Sequence, residues 1–219
     1  MVSSVPADGT ERTTTVVIGT GLSGLAVASE LRRRGVDSIV VDGLDVLGAR
    51  QPATASLPRC DAAAAASLQE RNEILRHLRT YASSQQLDIR NSTRAVQLDL
   101  IPGEAGSSGE PGRRQWAVHT PDGVLYADHI VLTRCAHSQL RRMLSQLGLA
   151  AGQHLASAMR AIGMYLVGVG ELITPTPKEV LRQAKVVGQA ISAKVHPDNA
   201  PSLLTGSFPA LSPAVFPAV

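Results

Sequence analysis

Three glycines, Gly19, Gly21 and Gly24, and an aspartate, Asp42, are the residues whose types and spacing point to chemistry in this chain. The glycines fall in the spacing G-x-G-x-x-G directly after the apolar run Val16-Val17-Ile18. Gly19 lets a chain leave a strand in a sharp turn, Gly21 has no side chain to hold the backbone away from a pyrophosphate, and Gly24 lets a following helix pack close to the strand. The first amides of such a helix have no partner within it and lie at the positive end of its dipole, which suits them to phosphate. Asp42, about twenty residues further on, is of the type and at the distance that accepts hydrogen bonds from ribose hydroxyls.

These residues need a strand, a helix and a second strand to position them. Val16-Val17-Ile18 has the β-branched content of a strand buried on both faces. Leu22, Leu25, Ala26, Ala28 and Leu31 recur at helical intervals until Gly35 stops the helix, and Ile39-Val40-Val41 make the second strand, ending at Asp42. Strand, tight turn, helix, strand and acid in that order are a nucleotide-binding βαβ unit.

Further along, residues 61–86 predict a helix, with an alanine run and Ile74, Leu75, Leu78, Tyr81 and Ala82 on one face. Short strands are expected at 87–89 and 95–98, and a flexible loop at 102–112. Strands at 116–119 and 124–126 flank the turn Thr120-Pro121-Asp122-Gly123, so a small antiparallel meander is expected beside the parallel sheet. A buried strand at 129–133, a helix at 138–147 and a glycine-bounded strand at 163–168 follow, while residues 148–160 fit either loop or short helix. Thr176-Pro177-Lys178-Glu179 has the pattern of a capping box, opening a helix whose stripe is Val180, Ala184, Val187 and Ile191. The expected organisation is a flexible N-terminus over 1–13, one α/β domain over 14–195 and a Pro/Ala-rich tail over 196–219.

The chain has 219 residues, 44% hydrophobic and only 3% aromatic, with a formal net charge of +3, which describes a globular domain. Its basic residues are dispersed, and Arg32-Arg33-Arg34 falls at a helix C-terminus where positive charge favours the dipole, so a nucleic-acid surface is not expected. Two distant cysteines, Cys60 and Cys135, argue against a disulfide framework, a zinc site and a dithiol centre. Residues 2–14 lack an apolar core of the secretory type, and residues 162–173 are too short to span a bilayer and include Glu171, so a cytoplasmic protein without a membrane anchor is expected.

The run VVIGTGLSGLAVASELRRRG, the acid ending the second strand, the meander, the strand Asp128-His129-Ile130-Val131-Leu132-Thr133 and the late run GMYLVG resemble the FAD-binding domain of two-dinucleotide-binding flavoproteins. Thioredoxin-reductase-like enzymes and flavin monooxygenases belong to that group. The resemblance implies a Rossmann-like α/β fold with a central parallel sheet, and FAD as cofactor. The contacts it implies are Gly19, Gly21, Leu22, Ser23 and Gly24 at the glycine turn, Asp42 on ribose, Arg50 and Val96 further along, and Thr133, Gly168 and Val169 after the later strands.

Several positions depart from the family pattern. Only about thirty residues separate the strand at 129–133 from the last one, where the family inserts an NADPH domain, and no second G-x-G-x-x-G occurs. Thr133-Arg134-Cys135 stands for the family's Ala-Thr-Gly, Gly48-Ala49 for its glycine pair, and Asp42 for its usual glutamate. Gly168-Val169 stands for a Gly-Asp whose carboxylate holds the ribityl chain.

Three functions fit. The first is an oxidoreductase without an NADPH domain, acting on a small and mostly apolar substrate, its flavin reduced by that substrate, a separate reductase or free NADPH. The second is a non-redox cyclase that keeps FAD as scaffold or has lost it. The third is a flavin-carrying or regulatory subunit of a heteromer, and a homo-oligomer fits as well. The Ala-, Arg- and Val-rich composition suggests, by analogy, a bacterial natural-product pathway. No pattern supplies a catalytic base or a metal site. His137 reads as a surface histidine at a helix start, Cys135 as a small buried hydrophobe and Glu171 as a solvated loop residue or a substitute ribityl ligand, while Ser23 has no histidine or acid near it in sequence to make it a nucleophile.

Overall fold

The computed structural model describes residues 9–44, 62–102, 114–133, 135, 137–149, 155–169 and 175–197. At its centre β1 (Thr10–Ile18) lies parallel to both β2 (Ser38–Leu44) and β6 (Gly123–Leu132). Val16 is in register with Ile39 and Ile130, Val17 with Val40 and Val131, and Ile18 with Val41 and Leu132. Successive side chains of a strand point to opposite faces, so the three strands feed two cores. Val17, Val40 and Val131 enter the first core, with α1 (Leu22–Arg33), α2 (Ala62–Ser84) and α5 (Pro177–Val195). Val16, Ile18, Ile39, Val41, Ile130 and Leu132 enter the second, shared with Trp116 and with Leu140, Met143 and Met159 of α3 (His137–Gln146) and α4 (Leu155–Ala161). Continuous apolar runs are what strands covered on both faces require.

Among the described residues the sheet has seven strands, in the order β3-β2-β1-β6-β5-β4, with β7 (Met164–Leu166) also on β6. β3 (Asp88–Ala95) is parallel to β2, while β4 (Gln97–Ile101) and β5 (Gln115–Thr120) form the antiparallel meander. The meander is not an appendage. The two strands expected at 124–126 and 129–133 are one, β6, whose first half pairs antiparallel with β5 and whose last residues pair parallel with β7. Trp116, fully buried, closes this split edge by donating its indole N–H to the Ile162 carbonyl at 2.7 Å.

Other expectations are corrected by the same pairing. The segment 1–13, expected to be flexible, contributes its last four residues to β1, because the long β6 gives Thr10–Thr13 a backbone partner although their side chains are polar. The strands expected at 87–89 and 95–98 are β3 and β4, split at Val96. The undecided stretch 148–160 contains most of α4. In α5 the Thr176 side chain accepts from the Glu179 amide, but the Glu179 carboxylate accepts from Arg182 and Gln183 instead of reaching back, so only the forward half of the capping box forms. Val187 is only partly buried; Gly188 takes the tight position, where a Cβ would lie 3.1 Å from the Cβ of Glu30 on α1. The loop at 103–113, residues 45–61 and the tail from 198 lie outside the described residues. No described helix is long and apolar enough to cross a membrane.

Candidate functional site

The site gathers where β1, β2 and β6 end. Gly19 leaves β1 with φ of +119°, a conformation that L side chains rarely adopt, and its amide donates to the Val41 carbonyl of β2 at 2.7 Å. The turn brings α1 back so tightly that a Cβ on Gly24 would sit 1.7 Å from the Gly19 carbonyl oxygen. Gly21 is different: it is exposed, it is the N-cap of α1 without a side-chain cap, and a Cβ there would meet nothing within 4 Å. The helix's own hydrogen bonds begin with the Leu25 amide on the Gly21 carbonyl, leaving the amides of Leu22, Ser23 and Gly24 ahead of the ladder. No acidic side chain occupies that first turn. Open space at Gly21, beside three amides ahead of the ladder at a positive dipole end, is an arrangement that can hold a phosphate group, and the residues present fit the pyrophosphate of a dinucleotide.

A second helix N-terminus reaches the same end of the sheet. β7 ends beside β6, the Val167 amide donating to the Leu132 carbonyl at 3.0 Å. Gly168 follows with φ of +72° and lies against α1, a Cβ there falling 2.3 Å from Ser23 Oγ. Its amide donates to Gln183 Oε1 of α5 at 2.9 Å. Gly168 thus joins the first turn of α1 to the N-terminal half of α5, while Gly188 of α5 packs on Glu30 and Arg34 at the other end of α1. The two helices run in the same direction and both present their N-termini at the strand ends.

On the other side of the turn, Asp42 is held at both oxygens. Thr20 Oγ1 donates to Oδ1 at 3.3 Å, and Arg94 Nε lies 3.3 Å from Oδ2. Arg94 comes from β3, where register shifts on either side of Asp42 place Arg94 opposite it although Arg90 is opposite Val41. A bulge of this kind re-aims a side chain.

The expected contacts therefore divide. Gly19, Gly21, Leu22, Ser23, Gly24, Asp42 and Gly168 meet at one place. Thr133 is also there, but it is buried and both its amide and Oγ1 donate to the Ile18 carbonyl, at 3.0 and 2.8 Å, so it fastens β6 to β1 under the turn and offers no donor to a ligand. The Val96 amide is spent on the His119 carbonyl at 2.8 Å, which leaves only its carbonyl as an acceptor. Val169 packs against the second core, as an apolar side chain should. Arg50 and Glu171 lie outside the described residues, and His137 opens α3. Thr20, Arg94 and Gln183 join the site without a sequence signal beyond their polarity.

Cys135 lies just past the end of β6, and burial pushes its thiol up from 9.0 to about 11. A nucleophilic role would need the opposite shift. Iodoacetamide should therefore alkylate a Cys60→Ser protein slowly at neutral pH, with a rate that rises only toward pH about 11; a rate profile centred at or below the ordinary thiol range would contradict the burial. Because the folded-state value is raised, the thiol leaves stability unchanged below pH 9.0 and lowers it as pH rises from there toward about 11.

Residues 17–78 match the family described as NAD(P)-binding Rossmann-like domain. No curated protein matches the sequence. Among solved structures, THI4 from Thermovibrio ammonificans is similar over 84% of this chain and 90% of its own, with a TM-score of 0.54 at 16% identity. A bacillithiol disulfide reductase from Staphylococcus aureus is similar over 57% of this chain and 39% of its own, at 15% identity and a TM-score of 0.35. A thioredoxin reductase from Gloeobacter violaceus is similar over 57% and 35%, at 19% identity and a TM-score of 0.36. The chain spans well under half the length of those two reductases. The chain thus has a Rossmann-like α/β fold shared with THI4, and its glycine turn, α1 and β2 lie in the part that matches the NAD(P)-binding domain.

Proposed function

We propose that this chain binds FAD at the ends of β1, β2 and β6 and acts as a flavoprotein oxidoreductase on a small, mostly apolar substrate. The observation that carries the proposal is the open space at Gly21, over the unpaired amides of Leu22, Ser23 and Gly24 and one strand away from a fixed Asp42. Those amides would take the pyrophosphate and the Asp42 carboxylate the adenosine ribose. Bound FAD supplies the electron or hydride transfer that no protein side chain provides. Gly168 and Gln183 fix α5 against α1, so a positive helix end is available on the strand-end side where charge on a reduced flavin would be favoured. The electron donor would be the substrate, a separate reductase or free NADPH. A bacterial natural-product pathway is an assignment that rests on composition alone.

One observation favours a second reading, a non-redox enzyme such as a cyclase or a nucleotide-binding subunit. Val169, at the position where the family has its ribityl carboxylate, is partly buried against the second core and its side chain offers no polar atom. An adenosine diphosphate grip without a ribityl grip suits a scaffold cofactor as well as a redox one. The spectrum of the purified chain, followed by anaerobic titration with FAD and then NADPH, separates the two. A bound flavin that bleaches on reduction supports the oxidoreductase. Flavin that binds and never turns over favours the second reading, and no flavin binding overturns the first.

The Asp42 contact has its own test. Asp42→Ala should weaken FAD and ADP binding by about 1.5–3 kcal/mol, the worth of hydrogen bonds to a charged group, read by calorimetric titration. Unchanged affinity would remove Asp42 from the site.

A further inference from the structure

We infer that the groove between α1, α2 and α5 is a second ligand site, separate from the strand ends, and that it takes a small amphiphilic carboxylate, an apolar chain ending in one anionic group. α1 forms the floor and the other two helices the walls. Lys178 at the start of α5 lies 3.6 Å from Glu70 of α2, and further along Arg33 of α1 stacks over the Tyr81 ring of α2 at 5.0 Å. Between these contacts a groove of about 530 Å³ stays open among the described residues. Ala26, Ser29, Glu30 and Arg33 recur at helical spacing along its floor, while Ile74 and Leu78 line it from α2 and Leu181 from α5. The volume is that of a small-molecule site. Its length, about 10 Å of helix from Ile74 to Tyr81, is short for a partner helix and suits a chain of about eight carbons.

Two independent observations name the ligand's polar end. Ser29, on the floor stripe, is only 1% exposed, and its Oγ has no hydrogen-bond partner. A buried hydroxyl without a partner is costly, and an acceptor arriving from the groove relieves it. The second observation is charge. His77 of α2 and Lys185 of α5 stand exposed on the two walls, and neither is paired with a carboxylate among the described residues. Glu30, the one carboxylate among the lining residues, is already spent on Arg33 at 3.0 Å and Arg34 at 3.8 Å, and Arg182 on the α5 wall is bonded to Glu179 at 3.1 Å. Donors and positive charge over apolar walls call for a group that only accepts hydrogen bonds and carries negative charge, with an apolar remainder. A carboxylate on a hydrocarbon chain has that chemistry.

The test is calorimetric titration of the full chain with octanoate, using octanol and butanoate as comparators. Octanoate should bind one site per chain with a Kd below about 1 mM, and saturating FAD should leave that affinity within about twofold. Octanol, which keeps the chain and loses the charge, and butanoate, which keeps the charge and loses half the chain, should each bind at least about tenfold more weakly. Lys185→Glu, at an exposed position away from the strand ends, should weaken octanoate by about tenfold or more and leave FAD binding unchanged. Ser29→Ala should weaken octanoate by about fivefold or more, while the Tm of the free chain stays the same or rises because an unpartnered hydroxyl is removed. Octanoate that fails to bind, as it must if protein fills the groove instead, overturns the inference. So does equal binding of octanol, unchanged octanoate affinity in either variant, or displacement of octanoate by FAD, which would place the carboxylate at the strand ends. A chain that binds octanoate in this way and binds no FAD keeps the inference and loses the nucleotide reading.

Discussion

Gly24→Ala should cost at least about 3 kcal/mol of stability and abolish nucleotide binding, because the added methyl has no room that a side chain could vacate. The obstruction is the Gly19 carbonyl oxygen at 1.7 Å, a backbone atom in the turn that also carries the hydrogen bond to Val41. Relief requires moving α1 off the sheet or moving the turn, and either displaces the three amides of the cradle. With a urea m-value of about 2 kcal/mol/M for a domain of this size, the unfolding midpoint should fall by about 1.5 M. Gly21→Ala is the informative contrast. Nothing lies within 4 Å of its added Cβ and its φ of −77° is ordinary, so stability should change by no more than about 1 kcal/mol, the difference between glycine and alanine at an N-cap. FAD affinity should nevertheless fall by about thirtyfold or more, since the methyl fills the space where the phosphates would approach. A Gly21→Ala protein that binds FAD as the wild type does would place the pyrophosphate elsewhere.

The two glycines also show how much of this protein can be read from its sequence. G-x-G-x-x-G between a β-branched run and a helical stripe identifies the turn, because each glycine answers a local steric demand that spacing alone reveals. The same holds for the two cores, which follow from the alternation of Val16, Val17 and Ile18 once both faces are covered. What escapes is whatever depends on register. Arg94 sits in a polar, partly exposed strand with no periodic pattern, and only the shift against β2 puts it on Asp42. Thr133 and Val96 are positions at which the resemblance implies contacts, yet their amides are already spent on the carbonyls of Ile18 and His119 respectively, which the residue types do not reveal. The fusion of the meander with the parallel sheet was hidden for a related reason: Asp128 interrupts the apolar pattern of β6 without interrupting its backbone.

That fusion makes Trp116 the residue on which the geometry of β7 depends. Trp116→Ala should destabilise the protein by about 3–5 kcal/mol, the usual cost of emptying a fully buried aromatic site. The chain has one tryptophan, so unfolding of the variant must be followed by circular dichroism. Trp116→Phe isolates the hydrogen bond: it keeps most of the apolar volume and strands the Ile162 carbonyl, at about 1–3 kcal/mol. The cost should not spread evenly. β7 meets β6 through only Ile130↔Met164, Val131↔Tyr165 and Leu132↔Leu166, and the indole anchors the residue just before that pairing begins. In Trp116→Phe, hydrogen exchange should therefore accelerate most at the amides of Val167 and Gly168, bonded to Leu132 and Gln183, and least at the amide of Gly19, which β1 and β2 hold from the other side. Gly168 is the point where β7 touches both α1 and α5, so a loosened β7 frees one helix N-terminus from the other while the glycine turn stays intact. FAD binding that weakens in step with Gly168 exchange would mean that both helix ends hold the ligand; affinity that survives it would confine the grip to Gly21, its three amides and Asp42.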